Sequence, residues 1–509
     1  MLEKTMDKRT HRAKINALST LLNQLLSTAI GVVIPWIMIR SFGSEAYGAT
    51  TSIAQFLAYI SLFEGGIGRV ARGALYAPLA AGDEDEVSRI YLAVKRFFSI
   101  IGFAFLGYTL ILAFRYYDIS DISGFTREYV FALVIAIAIG KFAEYMGGIT
   151  NITLFNADRR QYVVNSVVIV TGILNVILIA ILASSGVDIL WVKLTSSLVF
   201  VLKPIIFTVY LKTHYRIKKT KSRAVLQNKA TGIAQHIAYV VQNNSDVLIL
   251  TVCADLNYVA VYSVYHLISF SLRNITTSFT GGMEAHFGNL IAKGERENLV
   301  EYYKRYKFIL TVLTVMLFGA AGALIVPFVK LYTHDTTDTN YVQPIFAIIL
   351  LLSDAINCLV WPCFNLSIAA NKLKESQTGA FVETAINLIV SFALVLWNPL
   401  VGVAVGTLVS AIFKSVYYIV FASKQILHRN EMRMLSEFFV TVAVLLCVSI
   451  GGMIIASYMP LYNYWRWVVG GFMTVAITAP ISIILAATFY PKTFKSIMTL
   501  IKRSVIKSK

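Results

Sequence analysis

KTHYRIKKTKSRAVLQNK, residues 212–229, is the longest polar and basic run in a chain that is otherwise almost continuously apolar. Six apolar spans precede it and eight follow. Working outward, the run reads as a hydrophilic hinge between two halves, 1–211 and 230–423, with a further segment at 424–509.

The 509 residues are 57% hydrophobic and only 14% charged, with a mean hydropathy of +0.68. A soluble chain carries roughly a quarter of its residues as charges, so this one cannot cover a water-facing surface. Its apolar runs match a helix of about 20 residues crossing a bilayer about 30 Å thick. Fourteen spans are expected, near 15–39, 44–68, 93–114, 129–156, 161–184, 187–211, 230–254, 258–290, 308–330, 342–370, 376–397, 399–423, 437–459 and 465–490. The first is too long for a signal peptide and lacks a small-residue cleavage site, so it is expected to remain as a helix. The fold class is therefore an all-α polytopic membrane protein of about 14 transmembrane helices.

The formal charge of +18 would suggest a nucleic-acid partner in a soluble protein. Its distribution argues against that. Assigning loops alternately to two sides puts 35 of the 45 lysines and arginines on the side of both termini and 5 on the other. Such asymmetry is how cytoplasmic loops are recognised, so both termini are expected in the cytoplasm. Five tryptophans (Trp36, Trp191, Trp397, Trp465 and Trp467) fall at expected outer ends, as an interfacial belt does. Short outer loops leave no room for a catalytic domain, and no GxxxxGK[ST] loop is present to cradle a nucleotide. Cys253, Cys358, Cys363 and Cys447 lie in apolar spans without CxxC spacing and read as buried thiols. His236 and His266 have no second ligand at metal spacing.

The halves resemble each other at a shift of 211 to 212 residues. EAYGATTSIAQFLAY (45–59) aligns with LNYVAVYSVYHLISF (256–270), and GDEDEVSRIYLAVK (82–95) with GERENLVEYYKRYK (294–307). Gly82 then pairs with Gly294, Asn175 with Asn387, and Lys203 with Lys414. Each unit holds six spans, an even number, so both insert the same way up as a parallel repeat. Spans 13 and 14 have no counterpart.

RSFGSEAYGATTSIAQFLAYISLFEGGIGRVARGALYAPLAAGDEDE (40–86) and NNSDVLILTVCADLNYVAVYSVYHL (243–267) carry a family resemblance. They look like the polysaccharide-biosynthesis flippases, the O-antigen translocases among them, in the superfamily that includes the multidrug-and-toxin extruders. The resemblance implies two six-helix lobes about a cavity that opens alternately to either side, with spans 13 and 14 set apart. It also implies an undecaprenyl-diphosphate-linked oligosaccharide as substrate, membrane lipid and other polysaccharide-assembly proteins as partners, and a bacterial inner membrane as location. Transport would be coupled to an ion gradient or the membrane potential, with H+ or Na+ in place of a bound cofactor.

An ionised side chain at the bilayer centre costs roughly 2.5–3.5 kcal/mol on insertion scales, so each needs a reason. The cations inside spans are Lys141, Lys193, Lys203, Arg273 and Lys414; the acids are Glu64, Glu144, Asp246, Glu284, Asp354 and Glu383. An anionic diphosphate cannot cross bare hydrocarbon, and a guanidinium can hold its oxygens bidentately. Arg273 is accordingly the first candidate for substrate binding. Lys203 and Lys414, at equivalent repeat positions, come next, and Lys141 follows, either as a substrate contact or as a self-neutralising pair with Glu144 three residues on. Lys193, near an outer end, reads as a headgroup anchor. Asp246 with Asn243, and Glu383 with Asn387 one turn away, are the candidates for ion coupling. Glu64 is expected to cap a cytoplasmic cluster with Arg69 and Arg72. A cation-coupled drug extruder of the same superfamily and a membrane glycan polymerase or ligase are the alternatives. The first calls for an acidic, aromatic cavity and the second for an outer catalytic loop.

Overall fold

A run of backbone in lipid must satisfy its own hydrogen bonds, and helices are the local way to do so. The computed structural model describes residues 2–120, 122–218, 233–278, 283–372, 375–459 and 461–507, among which there is no β-strand. Residues 219–229 of the expected hinge lie outside the described residues.

Chain contacts divide the molecule into two units, Met1–Ala260 and Val261–Lys509. The first holds α1 (Leu2–Phe42), α2 (Ser44–Ala58), a 3-10 turn (Tyr59–Glu64), α3 (Ile67–Ala81), α4 (Glu84–Ser120), α5 (Arg127–Ala143) and a π turn (Glu144–Gly148). It continues with α6 (Ile149–Ala157), α7 (Gln161–Ser184), α8 (Ile189–His214) and α9 (Ile233–Cys253). Helix α10 (Leu256–Ser278) contains the boundary. The second unit holds α11 (Met283–Ala292), α12 (Arg296–Tyr332), α13 (Pro344–Ala369), α14 (Gln377–Val395), α15 (Pro399–Ala422), α16 (Glu431–Ser457), α17 (Tyr464–Phe489) and α18 (Pro491–Lys507).

Eleven helices among the described residues are long and apolar enough to cross a membrane. The three expected spans outside that set are the second, seventh and eighth, which correspond to α2 with the 3-10 turn, α9, and α10 with α11. The second is broken where Gly65 and Gly66 both take left-handed backbone angles, φ 56° and 75°, which side-chain-bearing residues rarely adopt. Helix starts follow their sequence signals: the side chains of Thr126, Asp188, Asn398, Asn430 and Asn463 each accept a backbone N–H of the first turn.

Gly82 and Gly294, paired by the sequence repeat, have the same φ of 72°. Each ends a short helix and leads into a 37-residue one, α4 or α12. In the first unit α9 packs against α2, the 3-10 turn and α4. Gly48 permits the closest approach there: a Cβ on it would sit 2.0 Å from the carbonyl oxygen of Leu256. Ser52 Oγ and Thr251 Oγ1 meet at 2.6 Å, and His236 Nε2 lies 2.8 Å from the carbonyl of Ser61.

In the second unit α12 is the central rod, contacted by α13, α16 and α17. Helices α16 and α17, expected to stand apart, pack directly on it. Gly322 lets α12 approach Ser449, and Gly452 faces Ala323, the small-residue contact that membrane helices use. Thr478 Oγ1 and Trp467 Nε1 donate to the carbonyls of Met316 and Leu324 on α12.

Candidate functional site

In the first unit the expected substrate residues Lys141 and Lys203 come together. Helix α5 ends in the π turn at Glu144, an irregularity often found at functional sites. Opposite it runs α8, which contains Pro204. Between them lies a cavity of about 210 Å³, lined by Gly140, Lys141, Glu144, Ser197, Phe200 and Lys203 among others. Lys141 Nζ is 3.3 Å from Glu144 Oε2, so the pair read from three-residue spacing forms. Lys203 Nζ sits 4.2 Å from the ring centre of Phe200 and feels both Lys141 and Glu144. Among the described residues Lys203 has no carboxylate within ion-pair distance. Two lysines and one carboxylate thus line the cavity, and only Lys141 pairs with the acid.

In the second unit the other two cations are paired. Arg273 Nη1 lies 2.8 Å from Asp354 Oδ1, and Ser269 Oγ donates to Asp354 Oδ2 at 2.6 Å. Ser269 and Arg273 are four apart, so one face of α10 presents both groups to α13. The guanidinium also lies 4.8 Å from the Phe270 ring centre. Lys414 Nζ is 3.0 Å from Glu383 Oε1 across the α14–α15 hairpin. A turn further along the same hairpin, Asn387 Nδ2 donates to Thr407 Oγ1 at 3.0 Å. Lys203 and Lys414, equivalent in the repeat, thus have different surroundings.

These pairs change what each residue can do. An anion reaching Arg273 must compete with Asp354, and a cation reaching Glu383 must compete with Lys414. Asp246 on α9 is buried and lies within electrostatic reach of Tyr59. Its neighbours Asn243 and Asn244 turn their amide nitrogens back onto the carbonyls of Tyr239 and Val240, at 2.7 and 2.6 Å. Among the described residues no group of three or more His, Cys, Asp or Glu could hold a metal ion. His266 is stacked against Tyr262 and Phe270.

Glu64 has a partner that local spacing did not suggest. It accepts a 2.6 Å hydrogen bond from the Tyr145 hydroxyl, because the 3-10 turn carries it toward the π turn. The side chain of Arg69, one member of the expected cluster, lies outside the described residues. Three groups escaped the sequence reading as partners: Asp354, Ser269, and a buried cluster of Lys307, Glu437 and Tyr490. The Ser269/Arg273 spacing was the available signal. The partners of the others lie 53 to 130 residues away, beyond any local pattern.

No family model and no curated protein matches the sequence. Solved structures do match. The lipid II flippase MurJ in its inward closed conformation superposes with a TM-score of 0.64 at 14% identity, over 94% of this chain and 99% of that one. The MATE multidrug transporter DinF-BH gives 0.58 at 15% identity, over 81% and 95%. An inward-facing MATE transporter of the MOP superfamily gives 0.55 at 15% identity, over 79% and 95%. The chain therefore has the fold of these transporters. Identity this low shares the path of the backbone rather than the side chains of a site.

Proposed function

We propose that the chain is a flippase that moves an undecaprenyl-diphosphate-linked oligosaccharide from the cytoplasmic to the outer leaflet of a bacterial inner membrane. It works by alternating access between an N-terminal lobe, 1–211, and a C-terminal lobe, 230–423, in a fourteen-span chain with both termini cytoplasmic. Residues 212–229 link the lobes, and 424–509 add two spans and a basic tail. An ion gradient or the membrane potential supplies the energy.

The observation that carries this reading is the cavity lined by two lysines, Lys141 and Lys203, and one carboxylate, Glu144, which pairs with Lys141 alone. A surplus cation in an apolar span is costly unless an anion offsets it, and a diphosphate is such an anion. Arg273 joins as the bidentate contact once substrate displaces Asp354, and Lys414 follows once Glu383 is released. Asp246 with Asn243, and Glu383 with Asn387, are the proposed coupling groups. Released carboxylates in a low-dielectric wall take up a proton or a sodium ion readily.

The MATE likenesses support a second reading, a cation-coupled extruder of amphiphilic drugs, in which Asp246 and Glu383 would meet the substrate directly. Reconstituted liposomes separate the two. They are loaded either with a fluorescent polyprenyl-diphosphate oligosaccharide or with a cationic dye, with and without proton and sodium gradients. Protein-dependent flipping of the lipid, lost in Lys203→Ala, supports the flippase. Gradient-driven dye movement without lipid flipping supports the extruder. Sugar transfer by the purified protein would overturn both.

A further inference from the structure

The buried cluster at Glu437 is the inner edge of a wider basic patch. Lys307 Nζ and the Tyr490 hydroxyl meet Glu437 Oε2 at 3.3 and 2.5 Å, while Arg433 Nε faces Oε1 at 3.5 Å. Lys304, one turn before Lys307 on α12, lies within electrostatic reach of Arg429, Arg433 and Lys492. These cations come from α12, the loop before α16, α16 itself and the start of α18, and gather about Lys304. Two other acids on α12 and α16 are engaged elsewhere: Glu431 with Lys424 at 3.0 Å, and Glu301 with Arg305 at 2.5 Å. Arg429 adds a shielded donor: its Nη1 is closed off from solvent and meets no acceptor among the described residues. The likewise shielded carboxylate oxygen Oε1 of Glu437 meets no donor at hydrogen-bond geometry among them.

Like charges gathered from four segments repel one another, and folding brings them together only if something offsets the repulsion. Water and salt do so at an open surface. Here Lys304 and Arg429 are half-buried, and the packing of Phe308, Tyr490 and Phe494 holds α18 against α12. The patch is bordered by apolar surface on the same helix: Met432, Phe439 and Val440 are all well exposed. Arg433, Ser436 and Val440 follow one another along one face of α16 at three- and four-residue steps.

We propose that this patch binds the phosphate of an anionic phospholipid, with its acyl chains laid along the exposed apolar face of α16. The phosphate oxygens take Arg429, Arg433 and Lys492, while Glu437 keeps Lys307 and Tyr490. Bound lipid then ties α12, α16 and α18 together at their basic end. The apolar border selects a lipid over a soluble phosphate, because only a lipid covers both surfaces.

Native mass spectrometry of the full chain in detergent, titrated with phosphatidylglycerol or phosphatidylcholine, tests this. The expected result is tighter retention of phosphatidylglycerol. It should weaken by at least tenfold in Arg429→Gln/Arg433→Gln/Lys492→Gln, since each cation near an anionic lipid is worth roughly a factor of five. Arg433→Lys, which keeps the charge, should hold the lipid within about threefold, showing that loss in the triple variant is not misfolding. A control triple of basic residues elsewhere in the chain, Lys95→Gln/Arg96→Gln/Lys293→Gln, should bind as the parent does. Equal loss in that control would overturn the site in favour of diffuse attraction. Displacement of the lipid by an equal concentration of inorganic phosphate or glycerol phosphate would overturn the lipid as occupant.

Discussion

Arg273 and Asp354 stand 2.8 Å apart, with Ser269 holding the second carboxylate oxygen at 2.6 Å. The cation proposed to grip a diphosphate is thus held by an acid that such a substrate would have to displace. Removing either partner of a largely buried pair leaves the other charge uncompensated, about 3–5 kcal/mol at full burial. The cost here is less, because the Arg273 side chain keeps 22% of its exposure. Arg273→Ala should lower the melting temperature and stall transport. Arg273→Ala/Asp354→Ala should recover most of the melting temperature and none of the transport. If the double variant flips substrate at the parental rate, Arg273 has a structural role only.

Lys203 makes the opposite stability prediction. Because no carboxylate pairs with it among the described residues, Lys203→Met should leave the melting temperature unchanged or raised. Transport of the lipid-linked substrate should drop at least tenfold, and Lys203→Arg should retain a substantial part of it. A fall in stability without a fall in transport would remove Lys203 from the site.

Gly48 has no room for a methyl group beside the carbonyl oxygen of Leu256, which a new Cβ would approach to 2.0 Å. Forcing one in displaces packed backbone, at about 1–3 kcal/mol. Gly48→Ala should therefore lower thermal stability, whereas Gly107→Ala, with open space around the position, should not. Melting curves of the two variants in the same detergent provide the comparison.

The start of the hinge is tied down by charge. Lys218 Nζ lies 2.8 Å from Asp85 Oδ1, and its backbone N–H donates to Ser88 Oγ at 3.0 Å. The hydrogen bond to Lys218 and its charge hold the Asp85 carboxyl below its usual 3.8, and Asp85 in turn raises the Lys218 ammonium above 10.5. For Asp85, whose folded value is depressed, the tie is complete above the ordinary carboxylate value and is lost as pH falls through the depressed one. For Lys218 it is complete below the ordinary ammonium value and is lost as pH rises through the raised one. A spin label at Ile217 should be immobile across neutral pH and gain mobility at both extremes. Asp85→Asn should free it at every pH. A label equally immobile in that variant would show that Ser88 and packing suffice.

Local features were legible before any coordinates. Polar turns and the paired glycines Gly82 and Gly294 mark where helices stop and start, because those effects act within a few residues. Lys141 and Glu144 belong to the same class: three-residue spacing on one helix brings them together without help from the rest of the chain. The breaks at Gly65–Gly66 and at Glu144–Gly148 were less visible, since glycines in apolar spans serve packing as often as they end a helix.

The sequence by itself determined that this chain is a set of apolar helices joined by basic segments, because hydrophobic length and segment charge act locally and add up along the chain. It also determined which ionised groups the helices must carry. Only the tertiary structure decided which of them are neutralised. Whether Arg273 meets Asp354, Lys414 meets Glu383, or Lys203 lines a cavity with Lys141 and Glu144 depends on how each helix is rotated about its axis and what it packs against. That rotation is set by side chains interlocking across segments distant in sequence, where no periodicity records which faces will meet.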